Sequence, residues 1–128
     1  MADPKPLRYR LKVGEAATMD LTPAMSRVVD IVNASQSEVN QYDLARAVEK
    51  SQRHISDTGS PEVQVAVLTT RITRLAAHLK ENHKDRHSHR GLMGLVNQRR
   101  KMMQYLKKKD LTRYSSLLKE LNLRDNIK

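Results

Sequence analysis

The chain contains no cysteine, no phenylalanine and no tryptophan. Without cysteine it can form neither a disulfide framework nor a thiolate metal site, which excludes the small disulfide-stapled extracellular domains. Its only aromatic residues are four tyrosines, too few for a protein that stacks many single-stranded bases on aromatic rings. If the ligand is a nucleic acid, this composition favours a structured one.

Long hydrophobic runs are also missing. No apolar segment approaches the ~20 residues that a membrane-spanning helix needs, so we expect a soluble protein that spans no membrane. The first ten residues are basic but include Asp3, Pro4 and Pro6. They lack the apolar region of a secretory signal and would form a poor amphipathic transit helix.

Positive charge is abundant. Lys and Arg number 24 against 14 Asp and Glu, which gives a formal net charge of +10 in 128 residues. A chain of this length forms one domain with one hydrophobic core. Such an excess of positive charge indicates a polyanionic partner, either nucleic acid or an anionic membrane surface.

No segment alternates apolar and polar residues as a strand does, and the sequence predicts an all-α fold. Residues 1–21 contain prolines and no sustained periodicity, so we predict an extended arm. Thr22 and Pro23 can begin a short helix that ends near Asn33. A second helix is predicted from about Glu38 to Arg53, with Ser37 as its N-cap.

The turn at 57–61 separates this helix from the next. Gly59 can take a positive φ, Ser60 can cap the following helix and Pro61 can occupy its first position. A third helix is predicted over residues 61–80, and its apolar seam consists of Val63, Val67, Leu68, Ile72, Leu75 and Leu79.

The polar segment 81–89 is predicted to connect to a fourth helix, and Asp110 is predicted to cap a last one. The apolar faces of these two helices are Leu92, Leu95, Val96, Met103 and Leu106 in the first and Tyr114, Leu117, Leu118 and Leu121 in the second. We predict a four-helix core of antiparallel helical hairpins in residues 40–128, preceded by an extension in residues 1–39. The segment 81–89 then lies at one end of the bundle, and the turn at 57–61 meets the region of Tyr105 at the other.

The positive charge is concentrated in residues 80–113, which include eleven basic and three acidic residues. A solvated charged surface is the alternative explanation of such a segment. On a helix, however, these side chains form a positive edge that can follow phosphates, and we expect Arg99, Arg100, Lys101 and Lys108 to bind nucleic acid.

Histidines cluster in and near the predicted connection. His83 and His87 have a spacing that suits a metal, and Asp85 could supply oxygen, but nothing else converges on them and we predict no metal and no other cofactor. Imidazole, hydroxyl and carboxylate groups instead suit the shallow minor groove of A-form RNA. There Asp85 could accept from a guanine amino group.

Two further motifs receive structural interpretations. Asp57-Thr58-Gly59 matches the tripeptide of aspartic proteases, but those carboxylates work as a pair on β-structure, and a single copy before a helix predicts a turn and no catalysis. The exposed amides at this helix start could bind an anion.

Met93, Met102 and Met103 lie at helical spacing among leucines and are predicted to fill the core.

Several multi-residue motifs follow one another over roughly residues 40–125. They are Asp57-Thr58-Gly59-Ser60-Pro61-Glu62-Val63-Gln64-Val65, His78-Leu79-Lys80, Lys84-Asp85, His87-Ser88-His89-Arg90-Gly91-Leu92, Gln98-Arg99-Arg100-Lys101, Tyr105-Leu106-Lys107 and Arg113-Tyr114. Together and in this order they resemble the family of ribosomal small-subunit protein fifteen of the bacterial type.

The resemblance implies a helical, non-enzymatic constituent of the small ribosomal subunit. Members bind the central domain of small-subunit rRNA at a three-way junction and an adjoining stem, support platform assembly, and contact large-subunit rRNA through an intersubunit bridge. Carried over by motif, the stem would be bound by His78, Asp85 and Ser88, and the junction by Thr58, Gly59, Gln64, Arg71 and Tyr105.

The chain departs from the family at Asn82 and Arg86, where His is frequent, and at Asn97, where Gly is frequent. The extension 1–39 is foreign to the compact bacterial form and typical of organellar relatives. We therefore expect a mitochondrial ribosome in the matrix, with a plastid or a bacterial cytoplasm as alternatives. We expect the extension to contact neighbouring small-subunit ribosomal proteins or RNA. A nonspecific basic protein that organises nucleic acid is the alternative function.

Overall fold

The computed structural model describes residues 34–125, which form four α-helices and no strand. In chain order these are α1 (Gln36–Ser51), α2 (Pro61–Glu81), α3 (Arg86–Lys109) and α4 (Leu111–Glu120). The predicted all-α class is confirmed. The predicted arm over 1–21 and the short helix that follows it lie outside the described residues.

The chain divides into two units, residues 1–45 and 46–128. The second unit contains the end of α1 and all of α2, α3 and α4. The boundary predicted between residues 39 and 40 stays a prediction.

Helices α2 and α3 form an antiparallel hairpin. Thr69 of α2 contacts Arg99 of α3, and closer to the connection a Cβ on Gly91 would lie 3.9 Å from the Leu75 side chain. The earlier residue of α3, Gly91, thus lies beside the later residue of α2, Leu75, and this order shows that the two helices are antiparallel. The predicted hairpin is therefore confirmed.

The hydrophobic core lies at the end of the hairpin away from the connection, where α4 packs against α3. Its central cluster contains Val65 from α2 together with Met103, Leu106, Tyr114 and Leu117. Leu106 and Val65 are completely buried. Toward the connection, the predicted seam residues Ile72, Leu75 and Leu79 are only half-buried.

Local signals explain where α4 begins. Asp110 Oδ1 accepts hydrogen bonds from the backbone amides of Thr112 at 3.0 Å and Arg113 at 3.2 Å, so the predicted N-cap is confirmed. These bonds, led by one from the Thr112 hydroxyl, lower the pKa of Asp110. The Tyr114 hydroxyl donates to Asp125 at 2.6 Å and fastens the segment after α4 to the core. Burial, followed by this bond, raises the pKa of Tyr114 to about 12.

Three predicted helix boundaries were wrong. Helix α1 begins earlier, because Ser35 and Glu38 form a capping box in which Ser35, and not Ser37, is the N-cap. The connection between α2 and α3 is only residues 82–85, since Asp85 caps α3 and places His87 to His89 in its first turn. Helix α1 also stops at Ser51, before the predicted Arg53.

The turn before α2 also differs in detail from the prediction. Pro61 occupies the first helical position as expected, but the Ser60 hydroxyl makes no capping bond. The φ of Gly59 lies outside the left-handed region. Asp57 closes the turn by accepting from the Ser60 amide at 3.0 Å. Of the methionines predicted in the core, Met103 is buried and Met102 packs against it, whereas Met93 is 51% exposed.

Candidate nucleic-acid interface

Three predicted site residues come together at the connection between α2 and α3. Asp85 Oδ2 accepts a hydrogen bond from the Ser88 hydroxyl at 2.5 Å and lies 3.2 Å from His78 Nε2. Its Oδ1 accepts from the Ser88 amide at 3.0 Å and so caps α3. The structure thus joins the end of α2 to the start of α3 through one carboxylate, and we call these three residues the connection site.

Asp85 is held ionised by its neighbours. The Ser88 hydroxyl contributes most, followed by the Ser88 amide and His78, and together they hold the pKa of Asp85 well below its usual range. An ionised carboxylate only accepts hydrogen bonds, so His78 Nε2 and the Ser88 hydroxyl must both act as donors toward it. The Ser88 oxygen keeps its lone pairs for an outside donor.

Both ring nitrogens of His78 have hydrogen-bond partners in this structure. Its second nitrogen, Nδ1, lies 3.4 Å from the side-chain amide of Asn82, which also donates to the His78 carbonyl at 3.2 Å. Asn82 stands where the resembling family frequently has His. The amide therefore orients the ring of His78, and Ser88 is the member of the connection site with the freest hydrogen-bonding capacity.

A second group of predicted site residues lies at the opposite end of the hairpin. Asp57 is buried and accepts from the Arg53 amide at 3.2 Å and from Arg53 Nε at 3.3 Å, besides the Ser60 amide. Burial opposes its ionisation, but these hydrogen bonds, with Ser60 foremost, outweigh burial and hold the pKa of Asp57 well below its usual range. Asp57 is thereby the internal support of the turn.

The turn presents its predicted residues to solvent. Thr58 and Gly59 are exposed, and the side-chain amide of Gln64 donates to the Gly59 carbonyl at 2.8 Å. A Cβ on Gly59 would meet nothing within 4 Å, so this backbone is open to a close approach. We call Thr58, Gly59 and Gln64 the turn site.

An exposed stripe on α2 connects the two sites. Gln64, Arg71 and His78 follow each other at seven-residue intervals, which places them near one line along the helix, and all three are exposed. Fourteen residues of helix separate the first from the last, an axial distance of about 21 Å. The hairpin thus carries two polar sites at a fixed spacing.

Tyr105 lies in the last turns of α3, at the same end of the hairpin as the turn site. It is 49% exposed, and Lys109 Nζ donates to its hydroxyl at 3.0 Å and lies 5.4 Å from the ring centre. An exposed ring beside a cation suits a sugar, a base or a phosphate. Lys109 was not among the predicted site residues, although its four-residue spacing from Tyr105 could have indicated the contact.

The predicted basic residues of α3 differ in their surroundings. Arg100, Lys101 and Lys108 are exposed to solvent. Arg99 is half-buried against α2, where Nη1 donates to Thr69 Oγ1 at 3.4 Å, and this burial lowers the pKa of Arg99. Thr69 lies thirty residues from Arg99, so no local pattern in the sequence could indicate it.

The part of the chain that the structure describes contains neither a candidate metal site nor a membrane-spanning helix. Between residues 34 and 125, no three His, Asp or Glu side chains are grouped so that they could hold a metal ion. None of the helices there is long and apolar enough to cross a membrane.

The family model described as Ribosomal protein S15 matches residues 44–124, which is more than half of the chain. The chain belongs to this family. The family consists of structural proteins of the small ribosomal subunit that bind rRNA and other ribosomal proteins there, so this chain has a ribosomal, RNA-binding role in translation. The matched segment contains both the turn site and the connection site.

Proposed function

We propose that this ribosomal protein binds the central domain of small-subunit rRNA at a three-way junction and at an adjoining stem. The observation that carries the proposal is the pair of solvent-accessible polar sites about 21 Å apart on one antiparallel hairpin. A rigid hairpin with a site at each end can fix the geometry between two RNA elements. It contributes no chemical step.

The connection site would bind the stem. The minor groove of A-form RNA is wide and shallow and presents 2′-hydroxyls and the guanine amino group. The free lone pairs of Ser88 accept from such donors, and Asp85 holds the hydroxyl in the orientation that leaves them free. His78 is in reach at the same edge and orients Asp85.

The turn site would bind the junction, together with Arg71 and Tyr105. Thr58 offers a hydroxyl, Gly59 an accessible backbone and Gln64 an amide at the start of α2. Arg71 lies two turns further along the same exposed stripe and is suited to a phosphate of the same junction. A binding surface of this size favours a folded RNA over a simple duplex.

The basic side chains of α3 would neutralise phosphates along the RNA. Each phosphate neutralised releases counterions, so affinity should fall steeply as salt rises. Arg99, Arg100, Lys101 and Lys108 are the residues that we assign to this role. They position the protein, whereas the two end sites provide selectivity.

The wider assignments belong to the same proposal. We propose that binding supports assembly of the platform, and that the bound protein contacts large-subunit rRNA in an intersubunit bridge. Residues 1–39 would contact neighbouring ribosomal proteins or RNA. The matrix of the mitochondrion is the proposed location, because residues 1–43 precede the segment that matches the family; a plastid and a bacterial cytoplasm are the alternatives.

Filter binding across a salt series tests the proposal. The ligands are a minimal RNA three-way junction, the same RNA with the junction closed into a continuous helix, and a DNA duplex of equal length. We expect the intact junction to bind at least tenfold more tightly than the other two at every salt concentration, since a folded-RNA site discriminates by more than ~1.4 kcal/mol. Equal binding of all three ligands would instead indicate a nonspecific basic architectural protein.

A further inference from the structure

Arg99 of α3 is held in place by a contact with α2. Its guanidinium is half-buried and reaches across to α2, where it meets the Thr69 hydroxyl at 3.4 Å. That hydroxyl gives its own hydrogen to the Val65 carbonyl at 2.8 Å. Thr69 therefore offers only lone pairs to Arg99, and its orientation is fixed by the backbone of α2.

The contact does not neutralise the charge of Arg99. In residues 34–125, Arg53 and Arg113 pair with the buried acids Asp57 and Glu62, whereas no carboxylate pairs with Arg99. A partly desolvated cation next to a neutral acceptor is unfavourable by itself. An anion bound beside it would remove this penalty.

We propose that Arg99, held by Thr69, forms a discrete site for one phosphate group between α2 and α3. The guanidinium has five N–H donors in one plane, and a single long hydrogen bond to Thr69 leaves most of them for a phosphate. Two parallel N–H donors match two phosphate oxygens, which an ammonium group cannot do. Thr69 acts as a positioning residue and does not itself need to touch the anion.

The proposal rests on the RNA-binding function and deepens it. Arg100 and Lys101 are exposed, so their attraction to phosphate is screened by salt. Arg99 is partly shielded from solvent and binds in one orientation. One phosphate of the RNA backbone would thus be fixed at the middle of the hairpin, between the turn site and the connection site.

Thermal unfolding of the full chain tests this site without RNA. The chain is compared in sodium chloride and in sodium phosphate of equal ionic strength, as the wild type, Arg99→Met, Thr69→Val and the control Arg46→Met, which changes an exposed arginine of α1. Phosphate also stabilises proteins by its exclusion from their surface, and Arg46→Met measures that general effect. We expect the wild type and Arg46→Met to show the same rise in Tm in phosphate.

Arg99→Met should lose at least half of that rise, and Thr69→Val should lose part of it while keeping every charge. In chloride, Arg99→Met should unfold at the same or a higher temperature than the wild type, because it removes an uncompensated cation. An equal phosphate rise in all four proteins would overturn the proposal. So would a lower Tm of Arg99→Met in chloride with an unchanged phosphate rise, since Arg99 would then be a structural residue only.

Binding of the junction RNA separates this inference from the proposed function. Arg99→Met should weaken binding about tenfold and lower the salt slope by about one, as expected for one lost phosphate contact. The control Arg46→Met should have the smaller effect. If the wild type did not prefer the junction, the proposed function would fail although the phosphate-dependent Tm could still stand. If junction binding were selective but insensitive to Arg99→Met, only the phosphate site would fail.

Discussion

At the scale of single residues, Ser88 illustrates how a hydrogen bond inside the protein determines what can be recognised outside it. Its hydroxyl hydrogen is committed to Asp85 at 2.5 Å, and its amide is committed to the other oxygen of the same carboxylate. Only acceptor capacity remains. The connection site is therefore suited to a donor group such as the guanine amino group.

Ser88→Ala should weaken binding of the stem by about 1–3 kcal/mol, the usual contribution of a specific base contact. The substitution keeps the Ser88 amide and thus the cap of α3, so the free energy of unfolding should change little. Filter binding with the junction RNA measures the effect, and Ser115→Ala, an exposed serine of α4, is the matched control. Equal affinity of both variants for the RNA would contradict the role of Ser88.

Asp57 gives a pH dependence of stability. Its pKa in the folded protein lies well below the ordinary value of 3.8, because hydrogen bonds from Ser60 and Arg53 outweigh the opposing effect of burial. The stabilisation is fully present above pH 3.8 and is lost as the pH falls toward the lower folded value. The free energy of unfolding should therefore fall as the pH drops below this point.

Asp57→Asn should be less stable than the wild type at neutral pH and should show a shallower fall in acid. Urea unfolding at several pH values from neutral to acid measures both effects. Glu120→Gln, at an exposed position of α4, is the control. An identical acid profile in wild type and Asp57→Asn would show that the turn does not depend on this carboxylate.

At the scale of helices, the sequence predicted those features that depend on adjacent residues. Pro61 at the start of α2, Asp110 at the start of α4 and the apolar face of α4 all follow from short patterns, and all were confirmed. The start of α3 was placed too late because the polar run 81–89 resembles a loop. Residues 86–89 of this run are helical because Asp85 caps α3 and α3 packs against α2.

Other features depend on how the helices pack against each other, which short sequence patterns do not specify. Met93 has the helical spacing of a core residue but is 51% exposed, whereas the core cluster lies nearer the end of α3 that packs against α4. The contact between Arg99 and Thr69 depends on the register of two helices, which composition and periodicity do not specify. The grouping of His78 with Asp85 and Ser88, by contrast, was indicated by the resemblance to a known family.

Leu106→Ala tests the proposed centre of the core. Leu106 is completely buried among residues of α2, α3 and α4, so its truncation should lower the free energy of unfolding by about 2–5 kcal/mol. Leu111→Ala is the matched control, because Leu111 is 64% exposed and its truncation should cost less than about 0.5 kcal/mol. Chemical denaturation measures both values. A small loss from Leu106→Ala would place the core elsewhere.

At the scale of the whole molecule, the proposed function makes the hairpin a spacer with a recognition site at each end. Core packing by α4 holds the turn end, and Asp85 holds the connection end. On this proposal, binding at both ends requires RNA elements at a matching distance and rotation. The positive charge of α3 would strengthen binding without setting this distance.

The most direct test changes the distance in the RNA and leaves the protein unchanged. Base pairs amounting to about half a helical turn are inserted between the junction and the stem site, and the dissociation constant is measured for wild type and Ser88→Ala. We predict that the insertion weakens wild-type binding by about as much as Ser88→Ala weakens binding to the original RNA, about 1–3 kcal/mol, and that the two changes together add little. Undiminished wild-type binding to the lengthened RNA would contradict simultaneous binding of both ends by one hairpin.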